Sequence, residues 1–314
     1  MKKGILFLFI FISSLAKAQD PEFSASTASL LNVNPAFAGT TLRGRGEIAY
    51  RLQWPNIAST YQTYMMSYDQ YFNGFGVGFS YMYDNEGRGL LQTGRTELDL
   101  SYAIKCHKDG TGKGRVIIQP GIAAAYFNKT IDFDKVVESS MINPNNYAYS
   151  INEASGQIHQ SNIDFSAGLL VYTKAICAGL SVYHLGEPGV GVEGWSLIPR
   201  RYVFYSSYCL NVGSKLQFLP SLIFIRQQDF RTLKINVDLR VKKIYFGIGY
   251  RNADALIFSG GYRFKDFNVR YSYDLTLNSN RLEGYTGGAH EIHFSYGFGS
   301  DKWMDKQVDL RYMQ

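Results

Sequence analysis

The sequence predicts an all-β fold, a transmembrane antiparallel up-and-down β-barrel of about 14 strands. Three observations predict it. Polar and apolar residues alternate one by one, the alternating segments are long enough to cross a bilayer, and the connections between them are alternately long and short. The clearest alternation is TLKINVDLRV at 232–241, where Leu233, Ile235, Val237, Leu239 and Val241 form one series and Thr232, Lys234, Asn236, Asp238 and Arg240 the other. Successive side chains of a strand point to opposite faces, so one face is aliphatic and the other polar, whereas a helix would scatter both sets.

The same period recurs along the chain. In order, the candidate strands are 43–54, 61–70, 75–84, 93–105, 113–127, 162–174, 175–184, 201–212, 214–226, 230–241, 242–251, 254–265, 266–276 and 288–300. Tilted membrane strands need about 9–11 residues, against about 5 or 6 for a globular strand. With the first strand running up from the periplasm, the connections 85–92, 128–161, 185–200 and 277–287 fall outside the cell and are the long ones. Those at the other end are tight, the asymmetry expected of an outer-membrane barrel. Two features fit less well: SKLQFLPSLIFIR is apolar on both faces, and Pro120 and Pro220 stand inside strands although proline has no N–H for a ladder.

Composition and the N-terminus agree with that class. Residues 1–18 read as a secretory signal peptide: Lys2 and Lys3, an apolar run from Ile5 to Ile12 too short to span a bilayer, and Ala16-Lys17-Ala18 as a cleavage site. Its removal takes three lysines and lowers the net charge from +6 to +3, a surplus that gives no reason to expect nucleic acid. Aromatic residues make up 15%, with 24 Tyr and 21 Phe. The chain divides into the signal peptide 1–18, an N-terminal periplasmic or lumenal segment 19–42, a barrel 43–300 and a C-terminal periplasmic tail 301–314, and its location is the cell outer membrane. Cys106, Cys177 and Cys209 do not make a disulfide framework; Cys177 and Cys209 could face each other across a hairpin, but read better as small wall residues.

The motifs that might carry chemistry do not. HEIHFSYGFG at 290–299 starts like a zinc-protease signature, but position 294 is Phe, and His290 and His293, three apart on a strand, point to opposite faces. Ile292, Phe294, Tyr296 and Phe298 then read as the lipid-facing series and Glu291, His293, Ser295 and Gly297 as the inward one. GFGVGF at 74–79 reads as glycines relieving one face of a curved sheet, and GTGKGR at 110–115 as a turn. No motif links Ser, His and an acid for hydrolysis, so no enzyme, metal or cofactor is expected. The inward charges Arg45, Glu47, Arg51, Glu97, Asp99, Lys234, Asp238, Arg240, Arg270 and Asp274 are of both signs and suit a lumen that is hydrated or plugged.

Several stretches, in one order along the chain, resemble the PorP/SprF family of outer-membrane proteins associated with type IX secretion and gliding motility. They are NPAFAGT (34–40), YRLQWPNI (50–57) followed by SYD (67–69), GLSVYHL (179–185), YRNADAL (250–256), YSYDLT (271–276) and GGAHEIHFSYGF (287–298). The residues that carry it are Asn34, Pro35, Gly39, Tyr50, Arg51, Gln53, Trp54, Pro55, Asp69, His184, Arg251, Asp254, Asp274, His290 and Glu291. NPAFAGT reads as a turn-forming segment entering the barrel wall, with Pro35 holding Asn34 extended, and Trp54 as an interfacial ring ending the first strand.

The resemblance implies a non-enzymatic component of the secretion and gliding apparatus that assists export or surface attachment of cargo such as adhesins. Its partners would be outer-membrane lipid, periplasmic and outer-membrane proteins of the apparatus, and the secreted adhesin. The loop 128–161 would be the extracellular contact, and the tail 301–314 departs from the family's expected end. The competing expectation is a transporter or channel for hydrophobic or small solutes, which would want an N-terminal hatch in the lumen; only about two dozen residues precede the first strand.

Overall fold

The computed structural model describes residues 20–24, 30–57, 60–108, 115–135, 156–189, 197–213, 216–252, 254–277 and 286–298. The signal-peptide segment, most of the turn 110–115, the middle of the loop 128–161 and the tail 301–314 lie outside the described residues.

Strands form where the alternation runs. They are β1 Gly44–Gln53, β2 Tyr61–Phe72, β3 Phe75–Glu86, β4 Leu91–Tyr102, β5 Ile104–Lys108, β6 Arg115–Asp132, β7 Gln157–Tyr172, β8 Ile176–Tyr183, β9 Arg201–Tyr208 and β10 Leu210–Val212. There follow β11 Leu216–Gln227, β12 Phe230–Val241, β13 Ile244–Arg251, β14 Ala255–Phe264, β15 Phe267–Thr276 and β16 Ala289–Phe298. Every pairing is antiparallel; β1 pairs with β16 and β9 with β11, so the sheet closes on itself. β4 with β5 and β9 with β10 each form one interrupted wall strand, which makes a closed barrel of 14.

The two interruptions are explained by the two prolines. β4 and β6 pair down to Ser101 and Gly121, and β5 resumes the same register at Ile104 and Ile118, so Pro120 stands where the ladder lapses beside Tyr102 and Ala103. β9 pairs with β11 as far as Ser207 and Ser221, and β10 resumes with Leu210 and Phe218, which leaves Pro220 beside the break at Cys209. A proline cannot donate to a ladder, and the neighbouring strand carries the gap. The other edge of each broken strand stays bonded, through Ala103 N–H to Gly74 O at 2.8 Å and Cys209 N–H to Ala175 O at 2.7 Å.

Alternation puts aliphatic and aromatic residues outside: Ile48 and Leu98 are each 61% exposed and Ile248 63%. Arg45, Glu47, Glu97, Asp99, Lys234, Asp238, Arg270 and Asp274 are buried inside. β6 and β7, at 18 and 16 residues, exceed a bilayer's thickness at about 3.3 Å per residue. Their hairpin takes in 128–132 and 157–161, so the predicted loop 128–161 is shorter than expected at both ends.

The lumen is filled by the chain's own N-terminal segment. Leu30–Val33 form one helical turn, α1, and Pro35–Phe37 a tighter one that starts at Asn34, which is extended at φ −162°. NPAFAGT therefore lies within the barrel instead of entering the wall, which begins at Gly44. The buried Leu30, Leu31, Ala36 and Phe37 cluster with Ile117, Leu170, Val203, Tyr205, Leu219, Ile223 and Ile225. That contact explains why β11 is apolar on both faces: one side meets lipid, the other the plug. Cys177 and Cys209 belong to the same cluster, and all three cysteines are free thiols.

Glycines seat the plug's backbone. A Cβ on Gly76 would lie 1.9 Å from Ala38 O, on Gly121 2.5 Å from Ala36 Cα, and on Gly168 1.9 Å from Asn34 Oδ1. The glycine at 76 thus answers close approach of the plug more than curvature of the sheet. Gly168→Val is expected to leave the barrel assembled, as judged by heat-dependent gel migration, and to unseat NPAF, turning a closed lumen into one that conducts ions in planar bilayers; unchanged low conductance would contradict this seating.

Candidate functional site in the plugged lumen

Two anchor sets hold the plug, one at each end. At the tight-turn end, Asn34 Oδ1 accepts from Ala36 N–H at 2.9 Å, while its Nδ2 donates to the wall carbonyls of Leu169 at 3.3 Å and Leu180 at 3.0 Å. Ala38 O accepts there from Ser101 and from Gln119, both at 2.8 Å, while Leu31 O accepts from the Tyr183 hydroxyl at 2.8 Å, at the far end of β8. Gly39, in the left-handed region at φ 70°, donates its N–H to Asp69 Oδ2 at 2.8 Å, and Asp69 Oδ1 accepts from Arg45 Nε at 2.7 Å. The Phe37 ring meets Tyr205 edge-on, with centroids 5.3 Å apart.

Nearer the long-loop end, residues 20–24 lie in a buried ionic seam. Ser24 N–H donates to Glu291 Oε2 at 2.6 Å and Ser24 Oγ donates to Asp274 Oδ2 at 2.7 Å. Arg51 bonds the same serine and pairs with Asp274 at 2.9 Å and Glu291 at 3.3 Å. Arg251 pairs with Asp274 at 2.9 Å and with Asp254. Lys234 donates to Phe23 O at 2.5 Å and lies 3.7 Å from Glu22. A single plug residue, Ser24, thus joins side chains from β1, β15 and β16.

His184, in the loop after β8, holds the start of the described plug. Its Nδ1 faces Asp164 Oδ2 at 2.7 Å and its Nε2 faces Asp20 Oδ2 at 2.8 Å, with Arg201 3.9 Å from Asp20. Only the doubly protonated ring can donate to two carboxylates. Burial opposes charge on both partners, but the pairing outweighs it: His184 is pushed up to about 9 and the Asp20 carboxyl is held well below its ordinary range.

The other expected residues lie around these anchors or outside them. Pro35 is buried in the plug. Gln53 and Trp54 close β1, and Trp54, at φ 57°, donates its N–H to Gly288 O at 2.8 Å while its ring meets Tyr61 edge-on. Pro55 flanks the left-handed Gly287, where a Cβ would meet its ring at 2.9 Å. Tyr50 stacks on Tyr64 at 4.9 Å, and His290 accepts or donates with the Tyr271 hydroxyl at 2.7 Å, while His293 is buried near Glu47. The histidines of HEIH therefore do occupy opposite faces. Among the described residues, no group of three His, Cys, Asp or Glu side chains could hold a metal ion.

Above residues 20–22 opens a cavity of about 600 Å³, a vestibule at the long-loop end. Asp20, Pro21 and Glu22 line it together with Trp54, Tyr61, Phe127, Ile198 and Phe230, and with the charges Asp84, Glu86, Lys129, Arg231 and Arg251. Trp54 is thus a vestibule residue as well as the end of a wall strand, a departure from the lipid-interface position expected of it.

Comparison with known proteins places this arrangement. The family model for the type IX secretion system membrane protein PorP/SprF matches residues 15–296. The chain belongs to the PorP/SprF family. Among solved structures, the Ralstonia pickettii toluene transporter TbuX aligns at 12% identity and a TM-score of 0.50, covering 86% of this chain and 93% of that one. A Pseudomonas aeruginosa FadL homologue aligns at 11% identity and 0.44, covering 89% and 100%. The likeness to TbuX is one of fold. No curated protein sequence matches. This PorP/SprF protein is a type IX secretion membrane protein of the outer membrane, with the fold of a secretion or transport barrel.

Sequence reasoning identified Arg51, Arg251, Asp274 and Glu291 but not that Arg51, Asp274 and Glu291 meet on one serine, with Arg251 joined through Asp274. Asp20, Glu22, Ser24 and Asp164 were missed. Asp164 carried a signal, as an acid on the inward side of an alternating strand; the three plug residues carried none.

Two expectations follow. Arg51→Ala leaves Asp274 and Glu291 buried with a lost cation, a change that costs about 3–5 kcal/mol and should appear as a lower unfolding temperature in detergent. The pH dependence has two sides. The raised His184 contributes fully below about pH 6.5 and is lost as pH rises through about 9; the depressed Asp20 contributes above about pH 3.8 and is lost as pH falls. Protection of residues 20–24 against proteases and hydrogen exchange should therefore be greatest in the window between and fall on the alkaline side, with His184→Gln abolishing the alkaline step.

Proposed function

We propose that this PorP/SprF protein is a non-enzymatic, closed-lumen component of the type IX secretion and gliding apparatus. It assists export or surface attachment of cargo such as adhesins and contacts periplasmic and outer-membrane proteins of that apparatus. The observation that carries the reading is the anchored plug: residues from separated motifs, Asn34, Gly39, Arg51, Asp69, His184, Arg251, Asp274 and Glu291, are spent on holding the chain's own N-terminal segment in the lumen. A barrel so filled offers surfaces more than a passage. The vestibule and the tall β6–β7 hairpin face the exterior, where cargo is displayed, and the short turns face the periplasm.

The chemistry of the lumen supports a role without catalysis. Ser24 is bonded to Asp274 and Arg51 and, among the described residues, to no histidine, while both nitrogens of His184 are committed to carboxylates, so the two do not form a nucleophile–base pair.

Deletion of the gene is expected to abolish surface delivery of particular cargo while other exported proteins still reach the surface, measured by surface proteomics. Normal delivery of all cargo would overturn the reading. Purified protein should pass little solute in liposome-swelling assays; robust flux of small or hydrophobic solutes would favour the transporter instead.

A further inference from the structure

The two rims of the barrel differ in charge. At the long-loop rim, acids such as Glu86, Asp134, Glu187 and Asp229 alternate with Arg88, Lys135, Arg200 and Arg231. At the tight-turn rim, Lys105, Lys174, Lys242, Lys243 and Lys265 are all exposed, and among the described residues of those turns the one carboxylate is Asp266, which pairs with Arg43 at 2.9 Å. By the loop asymmetry this is the periplasmic rim.

Its cations are spread around the circumference, and just above them stands a belt of outward aromatic rings. Phe72, Phe75, Tyr102, Tyr208, Phe264 and Phe298 are each between 42% and 53% exposed. Rings of this kind sit at headgroup level. Charge that encircles a barrel at that depth meets the leaflet; a docking protein would need it gathered on one side.

One place along the rim is organised further. Lys243, just before β13, and Lys265, just after β14, each place Nζ 5.5 Å from the centroid of the same Phe264 ring. The Arg263 N–H donates to Lys243 O at 2.7 Å, which fixes the two turns side by side. Two ammonium groups drawn to one ring repel each other, and among the described residues neither has a carboxylate in ion-pair reach; an anion lying between them would relieve both. Toward the bilayer the wall continues with Ile244, Phe246 and Ile248, exposed by 45%, 58% and 63%. Phosphate above and hydrocarbon below is the chemistry of a phospholipid.

We propose that Lys243 and Lys265, straddling Phe264, bind the headgroup phosphate of an anionic phospholipid in the periplasmic leaflet, whose acyl chain lies along Ile244 and Phe246. A zwitterionic headgroup carries its own amine, which competes for the phosphate, so lipids of net negative charge are preferred. The site lies on the outer face, away from the plug, and does not depend on the secretion reading.

The test uses the full-length protein purified in mild detergent, with retained lipid identified by mass spectrometry, and reconstituted into nanodiscs of phosphatidylethanolamine with or without phosphatidylglycerol. Wild type is expected to retain anionic phospholipid above its share of the membrane and to melt at a higher temperature in the anionic discs. Lys243→Gln with Lys265→Gln should lower retention severalfold and remove the difference in melting. Phe264→Leu should lower it less, and Lys174→Gln, which has no ring partner, should leave it unchanged. Equal retention in the double variant, or lipid retained in the membrane's own proportions, overturns the proposal. So does a double variant whose lipid profile is unchanged but which loses a cross-link to a periplasmic protein, for the lysines would then serve that partner.

Discussion

The structure depends on one constraint: charges facing the inside of a lipid-surrounded cylinder must find partners there. Period-two alternation delivers Arg51, Lys234, Arg251, Asp274 and Glu291 to the lumen whether or not water follows them. A charge left buried without a partner costs more than a paired one returns. Parts of the wall balance locally, as Arg45 does with Asp69 and Arg270 with Asp238, but the strands around Ser24 do not. Arg51 and Arg251 share Asp274, Glu291 turns to Arg51 and the plug, and Lys234 reaches a main-chain carbonyl and Glu22 of the plug. Residues 20–24 therefore complete a network that the strands leave unfinished.

The opposite half of the lumen solves a different problem by the same segment. Leu30, Leu31 and Phe37 would be costly in a wet channel, and Leu219, Ile223 and Ile225 equally so; together they form a dry core inside the barrel. Plug carbonyls in that core accept from Tyr183, Ser101 and Gln119 of the wall, and Asn34 of the plug donates to the wall carbonyls of Leu169 and Leu180. The plug is amphipathic along its length, ionic toward the vestibule and apolar toward the tight turns, and the lumen is divided to match.

This division marks how far the sequence could be read. Alternation is local, so the fourteen wall strands and their inward charges were legible within a few residues: TLKINVDLRV shows both faces without any knowledge of its neighbours. The plug is not periodic, and what makes it a plug is complementarity to residues far along the chain, as between Ser24 and Glu291. Each misfit in the pattern was its imprint. The glycine at 76 looked like curvature and is a seat for Ala38, β11 looked wrongly apolar because it touches Phe37's cluster, and NPAFAGT looked like an entry to the wall because Asn34 is extended before Pro35. Pro120 and Pro220 fit awkwardly inside strands for want of an N–H, and the gap falls on the adjacent strands instead.

The same architecture bears on the difference between a channel and a scaffold. A hatch that must move is held by few contacts at one end, where the cost of release stays small. Here the segment is tied at its start by His184, in the middle by Ser24's carboxylates and Arg51, and at its end by Asn34 and Asp69, before it runs covalently into β1. Freeing it would expose Arg51, Asp274 and Glu291 together and empty the apolar seat at the same time. Arg201 links the two sets, donating to Asn32 O at 3.4 Å and lying 3.9 Å from Asp20, so the two penalties are coupled. A segment fixed in this way stiffens the cylinder from within, and under the proposed role that stiffness lets the vestibule above it keep one shape.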